Sequence, residues 1–174
     1  MPVRMLPTMS SSSTDDHMRL IPTKYFITSG KAISGTSGLN AFDRALMEAG
    51  ICEQNLVAVS SVIPSGSERI DPVEIPMGAV THCVLSQMRG KGEEMIAAGI
   101  SYAHRKDGKG GYVAEGHLHG SGNSLRSELE KKMEEMSKIR GVEFGEVQYQ
   151  IEEMQVPAGM HGCCISALVF TEYR

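Results

Sequence analysis

The chain has 174 residues, a formal net charge of −4, 41% apolar residues, 19 Gly, 12 Met and no Trp. That length and apolar fraction suit one globular domain with a core of Met, Val, Ile and Ala, and they exclude wholesale disorder. Lys and Arg form no basic field, which argues against nucleic acid as a partner, and no run approaches the roughly 18 consecutive apolar residues of a membrane span.

Residues 1–22 read as a leader, because Ser10-Ser11-Ser12-Ser13-Thr14-Asp15-Asp16 has no apolar period and buries nothing. The same stretch lacks a signal-peptide apolar block, so a soluble, cytoplasmic protein is expected, with one domain over 23–174. A short strand is expected at 25–27 and a loop at 30–38. Leu39, Phe42 and Leu46 recur at helical spacing over 39–48, with Ser37 as cap and Gly50 as terminator. Residues 56–63 form an apolar run interrupted only by Ser60 and Ser61 and ended by Pro64, which predicts one strand.

Strands are expected at 79–88 and 95–102, the second reading equally as a short helix, and again at 111–117. Leu125, Leu129, Met133, Met136 and Ile139 mark one face of a long helix over 124–139, whose Lys131-Lys132 and Glu134-Glu135 pairs read as its solvated side. Strands at 146–156 and 163–170 close the chain, the last apolar enough to be central. Strand runs with two separated helices predict an α+β fold. Cys52, Cys83, Cys163 and Cys164 contain no C-x-x-C, and the last two are adjacent; all four are expected reduced and buried rather than metal-bound.

Two serines inside an apolar strand are chemically odd, although taken alone they are most simply read as hydroxyls bonding backbone at a strand end. The run Asn55-Leu56-Val57-Ala58-Val59-Ser60-Ser61-Val62-Ile63-Pro64 resembles the self-cleavage segment of the pyruvoyl-dependent arginine decarboxylases. Leu39-Asn40-Ala41-Phe42-Asp43, leading into Glu48-Ala49-Gly50-Ile51, resembles the segment that precedes it there. Pro76-Met77-Gly78-Ala79 and Glu115-Gly116 fall in the same order, and the resemblance runs from about Tyr25 to Tyr173.

The resemblance implies a four-layer αββα sandwich, assembled as a homotrimer of processed protomers with active sites between subunits. It implies that Ser61 attacks the Ser60 carbonyl, that the chain divides between 60 and 61, and that Ser61 becomes a covalent pyruvoyl cofactor. Such a carbonyl is an electron sink for decarboxylation of L-arginine to agmatine and CO2 in polyamine biosynthesis. Asn55 matches the residue that polarises the Ser60 carbonyl, and by itself reads equally as a turn residue. Glu115 matches the general acid; its apolar neighbours suit a carboxyl that must hold a proton, although by residue type alone it reads as solvent-facing. Asp43 matches the partner of the substrate guanidinium, a position that otherwise reads as exposed helix surface.

Leu39, Cys52 and Gln54 match pocket-lining positions. Cys52 and Gln54 depart from the residues expected there, which leaves contact through their backbone. The Gly108–Gly111 turn also resembles a shorter version of its family counterpart. Two rival readings stay open: a pyruvoyl decarboxylase for another amino acid, and an unprocessed, non-catalytic trimeric paralogue. No G-x-S-x-G elbow accompanies the serines. His117, His119 and His104 are read as no metal site, and Gly108-Lys109-Gly110-Gly111 as a hairpin turn rather than a phosphate loop.

Overall fold

The computed structural model describes residues 19–174; residues 1–18 of the expected leader lie outside the described residues. In chain order the elements are β1 (Pro22–Ser34), α1 (Gly38–Glu48), β2 (Asn55–Ala58), β3 (Val62–Ile63), β4 (Glu68–Arg69) and β5 (Val80–Lys91). They continue with β6 (Met95–His104), β7 (Gly111–His119), α2 (Gly122–Arg140), β8 (Gln148–Gln155) and β9 (His161–Tyr173). Five strands form one sheet in the order β2-β5-β9-β1-β4, and four form a second in the order β3-β7-β6-β8.

Strand alternation turns these sheets into layers. On β9, Cys163, Ile165, Ala167 and Val169 join a core with Ala41, Ala45 and Ala49, while Leu168 and Phe170 face Ile63, Ile100 and Val113 of the second sheet. Leu125, Leu129 and Met133 of α2 pack on Ala97, Ala103 and Ala114 across that sheet's outer face. The order is therefore α1, first sheet, second sheet, α2: an α+β sandwich of αββα layers. Two buried hydroxyls tie the sheets together, Ser86 Oγ donating to Gly116 O at 2.6 Å and Ser166 Oγ to Ala98 O at 3.2 Å. β9 is central, as its composition implied, pairing with β1 on one side and β5 on the other.

Several expectations change. The segment expected to be a loop at 30–38 is strand through Ser34, with Gly30 opposite Ile165 and Ser34 opposite His161, because a long partner strand overrides weak local propensity. Residues 95–104 are strand, which settles the helix alternative. On α1 the buried face is Ala41 and Ala45, while Leu39 is 64% exposed and Phe42 and Leu46 only edge the core. Close approach is the reason: a Cβ at Gly30 would stand 2.2 Å from Ala45 O, so only small side chains fit between α1 and β1. Ile139, expected on the core face of α2, is 77% exposed; it lies in the last turn of the helix, past the buried Leu125, Leu129 and Met133. Ile21 and Arg174 exchange two backbone hydrogen bonds, and Pro22 already opens β1.

Candidate active site

The strand expected over 56–63 does not run through. β2 ends at Ala58 in the first sheet and β3 begins at Val62 in the second. Val59 N–H still donates to Cys83 O at 3.1 Å, prolonging the first sheet's ladder. Ser61 N–H then donates back to Val59 O at 3.1 Å, a three-residue turn centred on Ser60. Ser61 O accepts from Val113 N–H at 3.0 Å and so belongs to the second sheet. The Ser60–Ser61 peptide is thus a bridge whose two ends are anchored in different layers. Ser60 is exposed and Ser61 half-buried, and Ser60 lines a cleft of about 280 Å³ with Val59, Val62, His82, Phe170 and Tyr173.

Glu115 lies on β7, two residues beyond Val113, which holds Ser61, and so on the same inward face as Val113. Its neighbours Val113, Ala114 and Gly116 are buried, but Glu115 itself is exposed in the single chain. Its carboxylate is felt across the sheets: burial chiefly pushes the Cys83 thiol up to about 11, and the Glu115 charge adds to that.

A second group gathers at the other end of β2. Ser37 Oγ accepts from Asn40 N–H at 3.2 Å and caps α1, which places exposed Leu39 and Asp43 one turn apart on one side of the helix. The Cys52 thiol is raised first by burial and next by the Glu53 charge, with Asp43 also contributing, so Asp43 and Cys52 are electrostatic neighbours. Gln54 Nε2 donates to Ile75 O at 2.7 Å, leaving Oε1 buried without a partner among the described residues. Asn55 Nδ2 donates to Gly78 O at 2.9 Å, so the Pro76–Ala79 turn clamps the entrance of β2.

The sequence-derived residues therefore fall into two groups within one chain: Leu39, Asp43, Cys52, Gln54 and Asn55 at one end of β2, Ser60, Ser61 and Glu115 at the other. Four residues of extended chain separate Asn55 from Val59, about 13 Å at roughly 3.3 Å per residue. That exceeds the reach of an asparagine or arginine side chain. The three histidines considered for a metal do not converge: in the β6–β7 ladder His104 pairs with Gly111 and His119 with Ile96, at opposite ends. Sequence reasoning missed His82 and Tyr173 in the cleft. Neither carries a motif, and only the juxtaposition of β5, β9 and the turn reveals them.

An αββα sandwich whose serine pair crosses between the two sheets defines the structural class. The family model described as pyruvoyl-dependent arginine decarboxylase matches residues 24–174. A protein of that name from Methanothermobacter thermautotrophicus is 33% identical over 154 residues, covering 88% of this chain and 99% of the relative. Another, from Methanopyrus kandleri, is 31% identical over 150 residues, covering 86% and 97%. A third, from Thermococcus kodakarensis, is 33% identical over 137 residues, covering 78% and 87%. The chain belongs to the pyruvoyl-dependent arginine decarboxylases, a family of enzymes.

Proposed function

We propose that this chain is a proenzyme that divides itself between Ser60 and Ser61 and then decarboxylates L-arginine to agmatine and CO2, in the cytoplasm, for polyamine biosynthesis. The observation that carries the reading is the bridge: one peptide bond exposed at a turn between two sheets, with each flank held by its own ladder. Cleavage there leaves both new ends anchored where they form. Ser61 Oγ attacks the Ser60 carbonyl carbon, and the Ser60–Ser61 C–N bond breaks to give an ester and a free Ser61 amine. Loss of the Ser61 Cα proton then expels the Ser60 carboxylate. The dehydroalanine so formed takes up water and releases ammonia, leaving a pyruvoyl group on residue 61.

A carbonyl at residue 61 fits this place, because Ser61 is only half-buried and its neighbours Ser60 and Val62 line a cleft instead of packed core. When formed, it supplies the electron sink for loss of CO2 from an α-amino acid. The protein's own residues do the rest. Glu115 supplies a proton to the substrate α-carbon; Asp43 takes the guanidinium in a two-bond fork, with Leu39, Cys52 and Gln54 beside it. Asn55 keeps one amide N–H beyond its bond to Gly78, and it donates that N–H to the Ser60 carbonyl of the adjoining copy during cleavage, since Ser60 of its own chain lies out of its reach.

The separation of the two residue groups supports sites between neighbours in a homotrimer, the Asp43 end of one copy meeting the Ser61 end of the next. Val57, Val62 and Val80 on and beside the two edge strands, with Leu39 and Met77, are 40–80% exposed, an apolar surface suited to such contact. Intact-mass spectrometry tests the reading. Wild type should give fragments 1–60 and 61–174, the second blocked to N-terminal sequencing, and Ser61→Ala should stay whole. Processed protein should release CO2 from arginine much faster than from ornithine or lysine, neither of which matches the fork. Cleavage of Ser61→Ala would refute self-processing; equal rates on the three amino acids would refute only the arginine assignment.

A further inference from the structure

Forming the ester requires that the Ser61 hydroxyl lose a proton and that the departing Ser61 nitrogen gain one. Besides Ser60, the described residues lining the cleft at the turn include two ionisable side chains, His82 and Tyr173. β2 and β5 run parallel with Val57 opposite His82, and Val59 N–H reaches Cys83 O, so His82 sits on the strand beside the turn. Val84, two residues on from His82, is in the core between the sheets, and Val59 packs against that same core. Strand alternation therefore turns His82 and Val59 to the same side. His82 Nδ1 lies 2.9 Å from Tyr173 Oη, with the rings edge to face at 71° and 5.6 Å between centroids. Tyr173 closes β9, whose Phe170 lines the same cleft, so the phenol is fixed by the central strand.

We propose that His82, oriented by Tyr173, is the proton shuttle for cleavage of the Ser60–Ser61 bond; this rests on the self-cleavage reading above. The tautomer that donates Nδ1–H to Tyr173 Oη leaves the Nε2 lone pair free. As Ser61 Oγ bonds to the Ser60 carbonyl carbon, its proton passes to Nε2. When the C–N bond breaks, the imidazolium returns that proton to the Ser61 nitrogen, so ester formation consumes and releases none. Tyr173 is a positioning residue here, holding the ring without meeting the reacting atoms.

The test follows the proenzyme from cell-free synthesis, with cleavage timed on gels. His82→Gln keeps a polar partner for Tyr173 but takes up no proton, and it should slow cleavage by about 10²-fold or more, the usual contribution of a general base. His82→Ala should be slow too, and recover with added imidazole but not with 1,2,4-triazole, which has the same size and is a far weaker base. Recovery with both azoles alike would mean that the ring only fills space, and would overturn the proposal even if His82→Ala folds poorly. Cleavage of His82→Gln within about threefold of wild type, well short of a general base's contribution, would overturn it as well. Ser61→Ala runs alongside. If it stays whole while His82→Gln cleaves normally, only the His82 assignment fails; if Ser61→Ala is cut, self-cleavage itself fails.

Discussion

Burial decides how the four thiols behave. Cys83, Cys163 and Cys164 are buried and free, and burial is the leading cause that pushes them up to about 11, about 11 and about 12. Cys52 is only half-buried. A small thiol reagent at neutral pH should therefore modify one cysteine in the folded protein and the other three only on unfolding, as counting labels by mass would show. The same burial makes stability pH-dependent. Unfolded thiols ionise near 9.0, whereas the folded ones hold their protons up to about 11 or 12. Between those values the unfolded chain binds fewer protons, so stability present below about pH 9 falls as pH rises toward 11–12. Urea midpoints measured across that interval should drop, and Cys164→Ala should lessen the drop. An unchanged slope in that variant would mean that other groups carry the effect.

The contact between α1 and β1 shows how an element's placement rests on one residue. Gly30 sits under Ala45 O, where an added Cβ would be 2.2 Å away, with Ala49 N at 3.0 Å. Backbone yields less readily than a side-chain tip, so Gly30→Ala must lift α1 or bend β1. The expected loss is about 1–3 kcal/mol, the usual cost of overpacking, read from urea unfolding. Because α1 carries Leu39 and Asp43 but not the serine turn, arginine turnover should fall more than Ser60–Ser61 cleavage does. A variant as stable as wild type would show that the helix packs less tightly than the geometry indicates. Helix α2 has the same dependence on ends: Ser121 caps its start and Gly141 closes it in the left-handed conformation at φ 60°.

At the level of the whole molecule, the two separated residue groups make a prediction that no single-site variant tests. Asp43→Asn and Glu115→Gln should each cleave at Ser60–Ser61 and each be poor at turnover. Co-expressed in a trimer whose sites draw Asp43 from one copy and Glu115 from the next, random mixing restores both residues in about a quarter of sites. CO2 release should then rise to about a quarter of wild type. If each site were built within one copy, no mixed site would hold both residues, and activity would stay at the level of the two variants.

The features legible along the chain are those that depend on near neighbours. The apolar stripe of Leu125, Leu129 and Met133, the Ser37 cap, the Gly108–Gly111 turn, the central character of β9 and the chemical oddity of Ser60-Ser61 are all visible within a few residues. Strand continuation is different, because hydrogen bonds to distant partners decide it. The 30–34 segment is strand only because β9 lies beside it, and residues 56–63 are two strands only because β5 claims the first half and β7 the second. The same pairing divides the candidate site in two and brings His82 and Tyr173, 91 residues apart, beneath the serine turn. The apolar stripe of α2 and motif chemistry are local properties of the chain, whereas sheet membership, the face that α1 buries against β1 and the meeting of remote side chains are settled when the layers close.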